Sequence, residues 1–159
     1  MHTRELIDEF LRQKRIAMIG VSRNPKDFSR NLYRELLRRR YEVIPINPSA
    51  QEIDGHPCYP HISDIRPPIK TVLLMTSRKV STAVLRECAD RGADLVWLYG
   101  INGEQDVDPA ALQFCRDHGI GVIPGYCPYM FLERAAFFHR IHGFVAKLVG
   151  KYPQHHRPA

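Results

Sequence analysis

The run Val72-Leu73-Leu74-Met75 is flanked by Thr71 and Thr76 and has no polar residue to turn towards solvent. A strand with one wet face alternates apolar and polar side chains. An unbroken run needs cover on both faces. That requirement disfavours an antiparallel sheet with a solvated side and calls for a parallel sheet held between two layers.

The rest of the chain supplies the parts. Apolar strand-like runs occur at Arg15 to Val21, "YEVIPIN" (41–47), "DLVWLY" (94–99) and "IGVIP" (120–124). Helical patterns stand between them. Ser29 to Arg39 puts Leu32, Tyr33, Leu36 and Leu37 on one face and Arg30, Arg34 and Arg38 on another. Lys79 to Asp90 carries Val80, Val84 and Cys88 and ends before Gly92. Asp108-Pro109 is a helix start, an N-cap followed by proline at the first helical position. A leading helix over Thr3 to Gln13 and a mostly helical stretch at 129–149 flank these elements. The expected fold is α/β and Rossmann-like, a mostly parallel sheet of about five strands with helices on both faces. One domain is expected over 1–159, with its core at about 13–133. Pro48 to Lys70 is the odd piece: five prolines, no clear helix, and room for a short edge strand near "HPCYP" (56–60).

In open α/β sheets ligands bind beyond the carboxyl ends of the strands. Here those ends read Gly20-Val21-Ser22-Arg23, Asn47-Pro48, Met75-Thr76-Ser77-Arg78, Tyr99-Gly100-Ile101-Asn102 and Gly125-Tyr126-Cys127-Pro128. None is Asp or Glu. The first turn begins as a dinucleotide fingerprint does, yet no further glycine follows before Gly55. The acidic residue that accepts from NAD ribose hydroxyls is also missing, because Ile46-Asn47-Pro48 stands in its place. A neutral or basic site suits a ribose that carries an extra phosphate. Ser22 and Ser29 are candidate donors to phosphate oxygens, and Arg23, Lys26, Arg30 and Arg78 candidate charges. Ser29 reads equally as a plain N-cap, and Arg30 as part of a solvated helix face.

Charge and cysteine content set further bounds. Lys and Arg exceed Asp and Glu by 23 to 17, a net charge of +6 with His neutral. This fits an anionic partner. The four cysteines, Cys58, Cys88, Cys115 and Cys127, form no C-x-x-C pair, so zinc is not expected. Cys88 and Cys115 read as core, and Cys58 as lying in the connection away from the strand ends. Cys127 reads either as a reactive thiol on the ligand side or as a small buried hydrophobe. The charged N-terminus and the lack of a long apolar run lead to the expectation of a cytoplasmic protein without a membrane partner.

Five segments in order, "IAMIGVSRNPKDFS", "YEVIPINPSAQEIDGHPCYP", "TVLLMTSRKV", "GADLVWLYGI" and "GIGVIPGYCP", resemble the small stand-alone CoA-binding proteins of bacteria. The single domain of those proteins is similar to the N-terminal domain of the succinyl-CoA synthetase α subunit. The resemblance spans roughly Gln13 to Glu133. It implies a ligand that is coenzyme A or an acyl-CoA. It puts Gly20, Val21, Ser22 and Arg23 around the pyrophosphate, Asn47 and Pro48 beside the adenosine, and Met75, Thr76 and Ser77 along the path of the cofactor. The segment "CPYMFLE" departs from the family pattern, with Tyr129 where a Lys is usual and Glu133 displaced.

No G-x-S-x-G, H-E-x-x-H or Walker pattern is present. The reading is therefore a CoA binder without catalysis of its own. The alternatives are an NAD(P)-binding oxidoreductase-like domain and a nucleic-acid module drawn to Arg38, Arg39 and Arg40. Against the latter, no aromatics are interleaved with those arginines. Phe137, Phe138, Ile141, Phe144, Val145 and Leu148 suggest a docking helix near the C-terminus, with a homodimer as one use of it.

Overall fold

In the computed structural model, residues 2–76 and 81–132 are described. Among these residues are seven strands and four α-helices. The first half runs α1 (Thr3–Arg12), β1 (Arg15–Ile19), α2 (Phe28–Arg38), β2 (Glu42–Ile46), β3 (Glu52–Ile53) and β4 (His56–Pro57). The second half runs β5 (Thr71–Leu74), α3 (Ser81–Asp90), β6 (Leu95–Tyr99), α4 (Pro109–Asp117) and β7 (Gly121–Tyr126). Five strands form one parallel sheet in the order β2-β1-β5-β6-β7. The fold is the Rossmann-like α/β architecture expected. Ser77 and Arg78 and the docking stretch from Phe137 to Leu148 lie outside the described residues.

The period of two along each strand divides the core into two layers. Ile16 and Met18 of β1, Leu73 of β5, Trp97 of β6 and Ile123 of β7 face one side, where Ile7 and Phe10 of α1 and Leu32, Tyr33 and Leu36 of α2 cover them. Ala17, Ile19, Val72, Leu74, Val96 and Leu98 face the other, under Leu85 and Cys88 of α3 and Ala111, Leu112 and Cys115 of α4. All four residues of β5 are buried, as its unbroken apolar run demands. Trp97 is fully buried. Its indole N–H donates to the Tyr126 carbonyl at 2.8 Å, and Phe10 meets its ring edge-on at 5.1 Å between centroids.

The proline-rich connection does by other means what a helix does elsewhere. Ile62, Ile65 and Ile69 lie under the sheet in the α3–α4 layer. Its regular pieces among the described residues are the antiparallel β3–β4 hairpin and a single turn of 3₁₀ helix at Ile62–Asp64. Asp54 (φ +49°) and Gly55 (φ +80°) make the two-residue hairpin turn, the conformation for which Asp-Gly is a preferred pair. Tyr59 then runs parallel to the free edge of β2. Its N–H donates to the Pro45 carbonyl at 3.1 Å, and its carbonyl accepts from the Asn47 N–H at 3.0 Å. The expected edge piece is thus one bridge at Tyr59. Each border strand of the sheet contains a proline, Pro45 in β2 and Pro124 in β7.

The helix starts are set by side chains. Asp108 caps α4 by accepting from the Ala110 N–H at 2.9 Å, with Pro109 behind it, as the sequence indicates. At α2 the cap is Asp27, which accepts from the Ser29 N–H at 2.8 Å. Ser29 is therefore not the cap but a residue inside the first turn. Cys88 and Cys115 are fully buried, as expected, and burial pushes their thiols up to about 12 and about 11.

Candidate functional site

The chain leaves β1 through α2 to reach β2 on one side, and later sets β5 against β1 on the other. Connections that diverge in this way open a crevice at the carboxyl ends of the two strands. Gly20 lies at its floor. Its N–H donates to the Ile46 carbonyl at 3.0 Å, and Met75 N–H donates to the Ile19 carbonyl at 2.8 Å, so three strand ends converge around it. Gly20 has φ +90°, and a Cβ there would lie 3.1 Å from Met75 C and Thr76 N. The missing side chain makes room for the backbone at the end of β5.

Above this floor is a cleft of about 380 Å³. Ile19, Ile46, Ile62 and Val84 give it apolar walls, and Asn47, Pro48 and Thr76 lie along it. The Thr76 hydroxyl is buried and has no hydrogen-bond partner among the described residues. Glu87 of α3 and His61 close the far side. The Glu87 carboxylate accepts from the Ser63 N–H at 3.3 Å and lies 3.7 Å from His61 Nδ1. Flat apolar walls with a few polar groups at the rim suit a heteroaromatic ring. Pro60, His61, Ile62, Val84 and Glu87 are wall residues that the strand ends alone do not reveal. Val84 was visible on the apolar stripe of α3, and Glu87 lies three residues further on the same helix. The carboxylate that the strand ends lack thus arrives from a helix.

The turn after β1 is tied down at many points. Asn47 Nδ2 donates to the Val21 carbonyl at 2.8 Å, and its Oδ1 accepts from the Ser49 N–H at 2.8 Å. Asn47 therefore staples the two strand ends together. Ser29 Oγ accepts from the Ser22 N–H at 2.9 Å and donates to Asp27 Oδ1 at 2.6 Å. Its one hydrogen is committed, so Ser29 shapes the turn instead of donating to a ligand. Arg30 is not on a solvated face. It is buried, pairs with Asp54, and donates to the Ser22 and Arg23 carbonyls at 3.2 and 3.1 Å. The groups left facing outward are Arg23 and Lys26, both exposed, and the Ser22 hydroxyl, which accepts from the Asn24 N–H at 3.1 Å and keeps its own hydrogen. The backbone N–H groups of Val21 and Arg23 donate to no acceptor among the described residues. Val21 and Met75 turn their side chains into the core layer beneath α1 and α2.

Cys127 and Cys58 stand at opposite sides of the site question. Cys127 is 4% exposed within that same core layer and lines no part of the cleft. Burial pushes its thiol up to about 11, although the Tyr129 and Met130 N–H groups favour the thiolate. The buried-hydrophobe reading holds for it. Cys58 is not remote from the strand ends. Its Sγ lies 3.8 Å from the Asn47 carbonyl, at the end of β2. Among the described residues no three His, Cys, Asp or Glu side chains gather closely enough to hold a metal ion. No described helix is long and apolar enough to cross a membrane.

Residues 14–133 match the family described as the CoA binding domain. The chain belongs to that family. Coenzyme A is accordingly its cofactor. An uncharacterized protein of Bacillus subtilis, YneT, is 27% identical over 124 residues, covering 77% of this chain and 88% of its own. The α subunit of the ADP-forming acetate–CoA ligase II of Pyrococcus furiosus is 23% identical over 131 residues. That match takes in 77% of this chain but 28% of the subunit, so the chain spans under a third of this larger relative. Among solved structures, a hypothetical protein from Pyrococcus horikoshii superposes with a TM-score of 0.71 at 25% identity, covering 80% of this chain and 87% of that one. The chain is thus similar both to a protein of comparable length and to a part of a CoA ligase subunit.

Proposed function

We propose that this protein binds coenzyme A, free or acylated, as a carrier or sensor without catalysing a reaction on it. The nucleotide end takes the cleft over Gly20, with the adenine between the isoleucine walls and Thr76. The pyrophosphate meets the turn of Val21, Ser22 and Arg23, and Lys26 adds charge nearby. The observation that carries this reading is the crevice itself. A CoA-family chain opens an apolar cleft where β1, β2 and β5 end, beside a turn with an unpaired Arg23 N–H and exposed cations. The non-catalytic part is supported by the lack of an activated nucleophile in the described cleft. Cys127 is in the core with its thiol pushed up, and Glu87 already accepts a backbone hydrogen bond. An NAD(P) reading has less support, because the only carboxylate among the described cleft residues belongs to α3 and the end of β2 offers Asn47.

Thermal unfolding with matched concentrations of CoA, acetyl-CoA and NAD tests the proposal. A ligand present at about 100 times its dissociation constant adds roughly 2.7 kcal/mol to the folded state. CoA and acetyl-CoA are expected to raise the midpoint, with NAD inert and acetyl-CoA recovered unhydrolysed. A shift with NAD and none with CoA overturns the assignment. Turnover of acetyl-CoA overturns the non-catalytic part alone.

A further inference from the structure

We infer that Asp54, at the tip of the β3–β4 hairpin, is a positioning residue for the phosphate-binding turn and acts through Arg30 and Arg34. The inference rests on the CoA reading of that turn. Its basis is a set of hydrogen bonds that converge on one carboxylate. Arg30 Nη2 donates to Asp54 Oδ1, while Arg34 Nε and Nη2 donate to the two carboxylate oxygens at 2.8 and 3.1 Å. The same two guanidiniums hold the turn from behind. Arg30 Nη1 takes the carbonyls of Ser22 and Arg23, and Arg34 Nη1 takes that of Pro25 at 3.0 Å.

Three carbonyl oxygens of a four-residue segment are thereby occupied by cations on its α2 side. This matters for an anion site, because a carbonyl oxygen turned towards a pyrophosphate repels it. With those oxygens engaged, the turn can offer its unpaired Arg23 N–H and the Ser22 hydroxyl instead, while the Val21 N–H stays within the core. Arg30 and Arg34 are consequently not receptors for a ligand phosphate, since their donors are spent on Asp54 and on the turn carbonyls, and the one positive charge left over acts only at a distance. The Arg34 and Arg30 guanidiniums hold the Asp54 carboxyl below the usual carboxylate range, so it is ionised at neutral pH. Without it, Arg30 is a buried cation with no counter-charge and the back of the turn loosens. A hairpin remote in sequence thus sets ligand affinity.

Asp54→Asn is the decisive variant. Asn tolerates the positive φ that the hairpin turn requires, so the change removes charge and little else. Titration calorimetry on the full chain with CoA and with dephospho-CoA is expected to show roughly tenfold weaker binding of both, at an unchanged ratio. The backbone amide resonances of Val21 and Arg23 should also move in the ligand-free protein while those of β6 and β7 stay in place, a local change that a general loosening of the fold would not give. Arg30→Lys gives a second handle. It keeps the charge beside Asp54 but lacks the planar fork that reaches Asp54 with Nη2 and the two carbonyls with Nη1, and a similar loss is expected. Undiminished CoA binding in either variant overturns the inference. So does a loss of discrimination between CoA and dephospho-CoA, since that would make the arginines receptors for the 3′-phosphate. If the unaltered protein bound neither ligand, the CoA reading itself would fall. The amide resonances would still decide the latch, and their standing still in Asp54→Asn would overturn it.

Discussion

Gly20 is the residue on which both fold and site depend. Its φ of +90° is rare for any side chain, and a Cβ would press on the Met75–Thr76 peptide. Gly20→Ala is expected to cost about 1–3 kcal/mol of stability through strain. It should also weaken CoA binding by displacing the Thr76 end of the cleft. Urea unfolding and calorimetry measure the two effects separately. A variant as stable as the parent would mean that the β5 backbone yields easily. The sequence marked Gly20 because a glycine closing an apolar run has few other uses. It could not mark Arg30 correctly. That side chain sits on an arginine stripe at helical spacing, and its partner Asp54 lies 24 residues away across a hairpin turn. Ser29 was misread for a similar reason: its fate is decided by Asp27, two residues earlier, which takes the capping role and then its hydroxyl hydrogen. Cys127 lay at a strand end, where the position invites a ligand role, but the adjoining Tyr129 and Leu132 fold back over it into the core.

At the scale of elements, α2 is anchored at both ends by charge. Its last turn holds Glu35 between Arg38 (2.7 Å) and Arg39 (2.6 Å). Hydrogen bonding to Arg38, and then to Arg39, lowers the Glu35 carboxyl from its ordinary 4.5 to about 2. A carboxylate whose pKa is depressed on folding stabilises the fold above its unfolded value. That contribution is fully present above about pH 4.5 and is lost as the pH falls towards 2. Glu35→Gln is expected to cost about 1 kcal/mol at pH 7, because Arg38 is largely solvated, and to cost nothing near pH 2. Chemical denaturation at the two pH values checks this, and an equal loss at both would show that packing, not charge, is at stake. Strands and helices were legible because their periods are strong. The boundaries of β5, α3 and α4 follow from an apolar run, a glycine and an Asp-Pro cap. The connection was not legible as a layer. Ile62, Ile65 and Ile69 are spaced by prolines and polar residues, and no period announces that they share one buried face.

For the whole molecule, the alternation of strand and helix was enough to give a parallel sheet. The order β2-β1-β5-β6-β7 then fixes where the crevice opens. What the sequence hid is that the connection and α3 bring Ile62, Val84 and Glu87 over that crevice, since this requires knowing which layer each crosses. The net charge of +6 also acts at this scale. An anion as highly charged as CoA approaches a cationic protein faster at low ionic strength, and the field is cut to about 10 Å at 0.1 M salt. Raising NaCl from 20 to 200 mM is expected to slow CoA association several-fold in stopped flow while changing dissociation less. A salt-independent association rate would mean that Arg23, Lys26 and their neighbours do not steer the ligand.

The two border strands have a consequence beyond the site. An open sheet edge offers unpaired N–H and C=O groups to any extended chain that meets it, the first step of aggregation and strand exchange. Here Pro45 and Pro124 remove a donor from each border, and Tyr59 occupies the carboxyl end of β2. Among the described residues neither border readily templates a further strand. The same prolines that make the sequence look poorly suited to a strand therefore disfavour edge-to-edge strand pairing at either described border.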